Sequence, residues 1–394
     1  MRTLLLLSAL VCAAPAAGAV LRVERDGHGD YLSIQLAVDA AASGDTILIG
    51  PGRYNEGAIW TTPGWTAFVR VVVRQAELTL IGAGPELTII GPTTTWDLTQ
   101  GGNRGMDAGT YWGNRRVFVS GIGFENMGYG VTCAEAPDAA VFTNCRFRAN
   151  AHSMLCAFGG SLEVRDCSFD QVYRNYQHIV ASGLSSVLIS DCDFSLATVN
   201  TWSQTGVHLQ GVPSAVVTDC RFLGGASGLA LLGVDAATVS NCMFSTQTAG
   251  RVEVSNGMII GYSTANLTDC TFDSQVNAVW ASERPNIRME RVSILDVAMA
   301  SLNFDSMNSL VVHESLLARG AQYTILQNYP CDESPQGEGL PHFDLTNNDW
   351  GTSSADSIAS WIRTCDYIVD FVPFIGQPVA VEKRSWGDLK ALFR

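Results

Sequence analysis

Thr218-Asp219-Cys220-Arg221-Phe222 is one copy of a phrase that recurs along the middle of the chain. TNCRF ends at Phe147, RDCSF at Phe169, SDCDF at Phe194, SNCMF at Phe244 and TDCTF at Phe272. The six cysteines, Cys145, Cys167, Cys192, Cys220, Cys242 and Cys270, are spaced by 22, 25, 28, 22 and 28 residues. Two weaker copies follow: ERVSI puts Val292 at the cysteine position 22 residues on, and HESLL puts Ser315 there after 23 more. Upstream, SGIGF ends at Phe124, 23 residues before Phe147. Self-similarity at a period near 22 residues marks a solenoid of stacked supersecondary units.

The content of each copy specifies strands. Short runs such as Ala215-Val216-Val217-Thr218 and Val187-Leu188-Ile189-Ser190 precede the cysteine. Brief β-branched runs bounded by turn formers read as strands with one buried face. Asn144, Asp166, Asp191, Asp219, Asn241 and Asp269 recur where the chain turns. Asn and Asp tolerate the left-handed backbone that such a turn requires. Cys and Phe, two residues apart, then face inward together. Coils of this size, stacked at about 4.8 Å per strand, predict an all-β right-handed parallel β-helix.

Stacking decides the reading of the cysteines. The six repeat cysteines form an inward ladder of small hydrophobes, and parallel side chains suit disulfide geometry badly. Cys133 and Cys156, 23 residues apart, are expected to stack in a second inward position. Cys331 and Cys365 lie outside the repeat, and a disulfide is expected between them. No close C-x-x-C or H-x-x-x-H spacing suggests a metal site, and no cofactor is expected.

Composition agrees with this architecture. Of 394 residues, 16% are charged and 47% hydrophobic, against about 25% charged in ordinary domains. That mixture excludes a disordered chain. A net charge of −14 and a pI near 4.8 argue against nucleic acid, which needs a basic face. Lysine occurs only at Lys383 and Lys390.

The ends differ from the repeat. Residues 1–19, MRTLLLLSALVCAAPAAGA, read as a secretory signal peptide with Arg2 as n-region, Leu4 to Val11 as h-region and Ala17-Gly18-Ala19 as cleavage site. No later run reaches the roughly 18 apolar residues of a membrane span. The expected protein is secreted or held in the cell envelope, without membrane insertion after cleavage. Ser33 is placed to N-cap a short helix with Ile34, Ala37, Val38 and Ala41 on its apolar side. That helix would plug the open end of the solenoid. The β-helix is assigned to 20–329. Residues 330–394 are read as an irregular C-terminal cap and tail, with a short helix from Asp356 to Trp361 and a final strand at Ile368 to Phe374. Trp386, Leu389 and Phe393 sit at helical spacing in the tail.

Three stretches carry a family resemblance: Asp26-Gly27-His28-Gly29-Asp30-Tyr31, Gly44-Asp45-Thr46-Ile47 and Pro51-Gly52-Arg53-Tyr54-Asn55-Glu56. With Leu78-Thr79-Leu80-Ile81-Gly82 and the repeats, the chain resembles the pectin-lyase-like right-handed β-helix superfamily of secreted bacterial type. The resemblance covers roughly residues 22 to 330. It is specific for fold and weak for activity, because this superfold hosts lyases, hydrolases, epimerases, adhesins and surface proteins. Gly27-His28-Gly29 resembles a galacturonase signature, but it precedes the capping helix and is not read as catalytic.

In the enzymes of that superfamily, substrate lies along one outer strand face. Here that strand is exemplified by Val207-His208-Leu209-Gln210, with His208 and Gln210 pointing out. The same register sends out His178, Val180 and Ser182; Ala230 and Leu232; Met258 and Ile260; Trp280 and Ser282; and Asn303 and Asp305. Leu232, Met258 and Ile260 either line an apolar groove or reveal a one-residue slip, which would swap the faces. The loops feeding this strand hold Tyr173, Arg174 and Trp202. Aromatic faces with His, Arg and Asn beside them suit sugar contact. The expected substrate-binding set is Tyr173, Arg174, His178, Trp202, His208, Trp280 and Asp305. A lyase needs converging carboxylates with a base, and a hydrolase needs paired carboxylates on one face; in this register the face offers only Asp305. The leading expectation is a protein that binds an extended polysaccharide or cell-surface glycan without a recognisable catalytic set. The alternatives are a polysaccharide lyase or glycoside hydrolase, and a structural cell-envelope protein.

Overall fold

The computed structural model describes residues 18–375 except 63–64, 95–101, 110–114, 171–176, 197–203, 248–254, 318–321 and 329–339. Most of the signal segment (1–17), the loop residues Tyr173, Arg174 and Trp202, Cys331 and the tail with Trp386 lie outside the described residues. The fold is a right-handed parallel β-helix, nearly all-β with short helices. The chain divides into two compact units, Met1–Ser168 and Phe169–Arg394. No helix among the described residues is long and apolar enough to cross a membrane.

In the first unit, strands Asp45–Ile49, Glu77–Gly82 and Arg116–Ser120 pair in parallel, with Ile47 opposite Leu80 and Leu80 opposite Val119. A second ladder aligns Tyr54, Ile90, Phe124 and Phe147, all buried. A third aligns Val71, Met106, Val131 and Met154. The antiparallel hairpin of Ala58–Thr62 with Trp65–Val72 interrupts the pattern. Helix α1, Ile34–Ala40, begins at Ser33, whose hydroxyl accepts from the Leu36 N–H, and buries Ile34, Ala37 and Val38.

From Thr205 to Leu317 each coil of the second unit has three strands. One coil is Thr205–Gln210, Ser214–Thr218 and Arg221–Leu223; the next is Ser227–Leu232, Ala236–Ser240 and Met243–Ser245. Phe194, Phe222, Phe244 and Phe272 stack face to face with centroids 4.8 Å apart, which is the strand spacing itself. Glycine is required beside this ladder. A Cβ on Gly228 would lie 2.6 Å from the Phe244 ring and 2.9 Å from the Gly257 carbonyl. At the far end, Phe343 and Tyr367 stack at 4.4 Å beneath Phe304, and Trp350 is fully buried. Helix α2 spans Ala355–Ser360 and a strand spans Ile368–Asp370.

The turn residues take the geometry their chemistry predicts. Asn144, Asp166, Asp191, Asp219, Asn241 and Asp269 have φ between 49° and 55°, as do Arg291 and Glu314 in the divergent copies. Val292 and Ser315 occupy the buried cysteine position. All eight cysteines from Cys133 to Cys270 are free and buried. Each ladder thiol lies near the carbonyl two residues back, as Cys220 does to Thr218 (3.1 Å). Hydrogen bonding to the Cys220 thiol and then burial push Cys242 up to about 12. The Cys242 thiol therefore stays protonated at neutral pH and is inert as a nucleophile. Cys365 is disulfide-bonded.

One expectation about the outer face needs correction, and one open alternative is resolved. His178 does not point out; it is 0% exposed. Its neighbours Gln177 and Ile179 stand opposite Thr205 and Val207, so His178 takes the place held by Gly206 in the next coil. There the backbone bends into the strand and directs two successive residues inward, which strict alternation cannot foresee. The ring packs against Phe169 and Phe194, and Nε2 lies 3.2 Å from the Ser195 carbonyl. A carbonyl only accepts, so Nε2 carries the proton. Met258 and Ile260 also point inward, each 0% exposed, and Ile259 takes the outer position opposite Ala230. The cause is a shorter turn. Residues 262–263 join the first two strands of that coil, where 233–235 do so in the coil before.

Candidate functional site

With the register settled, the outer face of the first strand in each coil can be followed residue by residue. Val180, His208, Ala230, Ile259, Trp280, Asn303 and Leu326 stand opposite one another in succession. The middle of this row is apolar. Its far end carries unmet polar atoms: Trp280 Nε1, a donor, and Asn303 Oδ1, an acceptor on a side chain 5% exposed, have no protein partner. Buried polar atoms normally find one. Asn303 Nδ2 donates to Asn277 Oδ1 (3.3 Å), and Asn277 Nδ2 to Asn256 Oδ1 (3.0 Å), so an amide ladder holds that edge in place.

The turn that follows this strand carries the more specific signal. In three successive coils a glycine with φ of 60–65° follows the paired residues Ser182, Gln210 and Leu232: Gly183, Gly211 and Gly233. In the next two coils the equivalent positions, after Gly261 and Ser282, hold Tyr262 (φ 49°) and Glu283 (φ 61°), and Arg284 is left-handed too (φ 58°). Left-handed backbone costs a non-glycine residue roughly 1–2 kcal/mol, and such cost concentrates at functional positions. The neighbouring Ser263 hydroxyl donates to the Gly261 carbonyl (2.8 Å) and accepts from the Val234 N–H (2.9 Å), pinning the turn.

These side chains surround an open cleft. Its volume is about 690 Å³, and Tyr262, Trp280, Ser282, Glu283, Arg284, Asp305 and Ser306 line it. Ligand clefts typically span about 300–1,000 Å³. A smaller cleft of about 380 Å³ adjoins it, sharing Tyr262, Glu283 and Arg284 and adding Asp235, Asn286 and Asn308 among others. Tyr262 is 69% exposed, a bare aromatic face. Among the described residues, Glu283, Arg284 and Asp305 form no ion pair or side-chain hydrogen bond. The cleft thus presents two aromatic rings, two unpaired carboxylates and one guanidinium.

The residues expected from sequence are divided by this geometry. Trp280 and Asp305 share the cleft. His208 lies on the same outer row three coils away, about 14 Å at ~4.8 Å per coil, and burial holds its pKa below the ordinary histidine value. His178 is in the core, and Tyr173, Arg174 and Trp202 lie outside the described residues. Sequence reading missed Tyr262, Glu283 and Arg284. The signal was available in the coil alignment, where Ser-Gly, Gln-Gly and Leu-Gly give way to Gly-Tyr and Ser-Glu.

A second polar group on the strand face of the first unit was also missed. Arg104 Nη1 donates to Asp107 Oδ2 (2.7 Å) and Thr132 Oγ1 (3.2 Å), and the Thr132 hydroxyl donates to the same carboxylate oxygen (2.9 Å). Tyr129 stacks on His152 at 5.2 Å beside them. The charges of Arg104 and Asp107 cancel within this buried set, whose evident effect is to fix the strands. Among the described residues no three His, Cys, Asp or Glu side chains converge as a metal site would.

Comparison with known proteins bears on the fold. Residues 177–329 match the family model described as right handed beta helix region. Pectinesterase 31 of Arabidopsis thaliana is 30% identical over 182 residues, covering 40% of this chain and 52% of that protein. The chain thus spans about half the length of the curated relative it matches. The solved structure titled crystal structure of Agl-KA catalytic domain overlaps 92% of this chain and 68% of its own, at 12% identity and a TM-score of 0.37. The family-model match supports a right-handed β-helix over residues 177–329, and part of the chain is similar to a pectinesterase.

Proposed function

We propose that this chain is an exported β-helix protein that binds an extended polysaccharide or cell-surface glycan along the outer strand face of its second unit. The cleft of Tyr262, Trp280, Glu283, Arg284 and Asp305 carries this reading. Aromatic rings beside unpaired hydrogen-bonding groups are what a sugar's flat apolar face and its hydroxyl rim require. Export follows from the signal-like residues 1–19. A panel of soluble polysaccharides in affinity electrophoresis tests the reading. Retention by at least one glycan, weakened about tenfold or more in Trp280→Ala, is expected; unchanged retention in that variant removes Trp280 from the site.

A second reading has one observation in its favour. Glu283 and Asp305 place two carboxylates on one cleft, as glycoside hydrolysis needs. Release of new reducing ends, lost in both Glu283→Gln and Asp305→Asn, would establish it.

A further inference from the structure

We infer that the cleft selects an uncharged, hydroxyl-rich glycan and rejects polyuronates, with Glu283 and Asp305 as the groups that discriminate. This rests on the glycan-binding reading above and adds the class of ligand to it. The charge at the site points away from an acidic polymer. The two adjoining clefts are lined by three carboxylates, Asp235, Glu283 and Asp305, against one guanidinium, Arg284. The whole chain carries −14. A uronate carboxylate seated in the cleft would stand well within the Debye length of about 8 Å of both Glu283 and Asp305, so physiological salt would not hide the repulsion.

For a neutral sugar the same groups are favourable. Each ionised carboxylate accepts hydrogen bonds only, and its two oxygens suit neighbouring hydroxyl donors. Neither carboxylate is engaged within the described protein, so neither must give up a partner to bind. Tyr262 and Trp280 supply faces for the C–H side of the ring.

Backbone geometry marks Tyr262 and Glu283 as retained for such contacts rather than for folding. Three coils fill this left-handed turn with Gly183, Gly211 and Gly233, and a Cβ built on Gly211 meets nothing within 4 Å. The fold therefore accepts glycine at the position; in the second unit the two coils that border the cleft carry a large polar side chain there, as Glu135 does in the first unit, where Phe158 takes the same left-handed turn.

The test uses the full chain, with neutral homopolysaccharides (a β-glucan, an α-glucan and a mannan) and polygalacturonate as probes in affinity electrophoresis. Retention by a neutral polymer is expected, changing less than about twofold between low and high salt because no ion pair is screened. Glu283→Gln and Asp305→Asn each weaken it about tenfold, the scale of one lost charge-assisted hydrogen bond. The double variant also gains retention by polygalacturonate. Tyr262→Gly and Glu283→Gly lower retention while their melting temperatures stay at or above that of the parent, which separates a binding role from a structural one. Polygalacturonate held more tightly than any neutral polymer, and released by Arg284→Gln or by salt, overturns the selectivity and leaves glycan binding standing. Retention by no polymer overturns the glycan-binding reading itself.

Discussion

Single residues account for the chemistry and for part of the stability. Glycine at φ near 60° relieves the Cβ clash that any other residue meets there. Gly211→Ala should therefore destabilise by about 1–2 kcal/mol through backbone strain alone, since the space around its Cβ is open; urea melts would show it. The reverse change at Tyr262 removes that strain but restores freedom to the unfolded chain, worth about 0.5–1 kcal/mol, so Tyr262→Gly should be neutral to slightly stabilising. His178 makes a pH-dependent contribution. Burial, partly opposed by the Ser195 carbonyl, lowers its pKa from 6.5 to about 4. Between those values the unfolded chain binds a proton that the folded chain does not. Stability is thus complete above about pH 6.5 and falls as pH drops towards 4, by up to about 3 kcal/mol. His178→Gln, which keeps an N–H for Ser195, should remove that part of the slope in urea melts at pH 7 and 4.5.

At the scale of the element, the stacked phenylalanines and the glycines facing them form one device. The rings of Phe194, Phe222, Phe244 and Phe272 repeat at the strand spacing, and the backbone of Gly206, Gly228 and Gly257 lies against them. Phe222→Ala should cost about 3–5 kcal/mol, the usual price of an aromatic-sized cavity. Gly228→Ala should cost about 1–3 kcal/mol by overpacking, because ring and carbonyl both stand within 3 Å of the new methyl. Thermal denaturation of the two variants checks both values. The repeat was legible at this scale because Cys, Phe and the Asn or Asp before them recur in fixed order. The bend entering each first strand was not, because it follows from the backbone path and leaves no residue type of its own. His178 was assigned to the wrong face for that reason, while at Met258 and Ile260 the one-residue slip left open by the sequence is the correct alternative, because a turn is one residue shorter.

Over the whole molecule, stacking makes each coil answer chiefly to its neighbours. Deleting residues 221–242, one full period of 22, joins Cys220 to Met243 and keeps every inward position in phase. That variant should fold with a β-rich circular dichroism spectrum and a cooperative melt. Deleting only 221–231 sets Cys220 before Leu232 and puts unlike strands opposite each other, so it should not fold. The low charge content has the same origin, since each coil spends much of its length on an inward apolar face.

Architecture was readable from the linear chain because a solenoid writes its contacts as a period: residues that touch are about 22 positions apart, and matched side chains recur at that distance. The strands, the reduced cysteine ladder, the left-handed Asn and Asp turns and the Ser33 cap all follow from local chemistry of that kind. The cleft does not. Tyr262 and Glu283 hold the same turn position in adjacent coils and Asp305 comes from the next, and their meeting depends on the register that the turn lengths set. Register is set by turns whose length no single motif states, so the folded chain decides which side chains border the cleft.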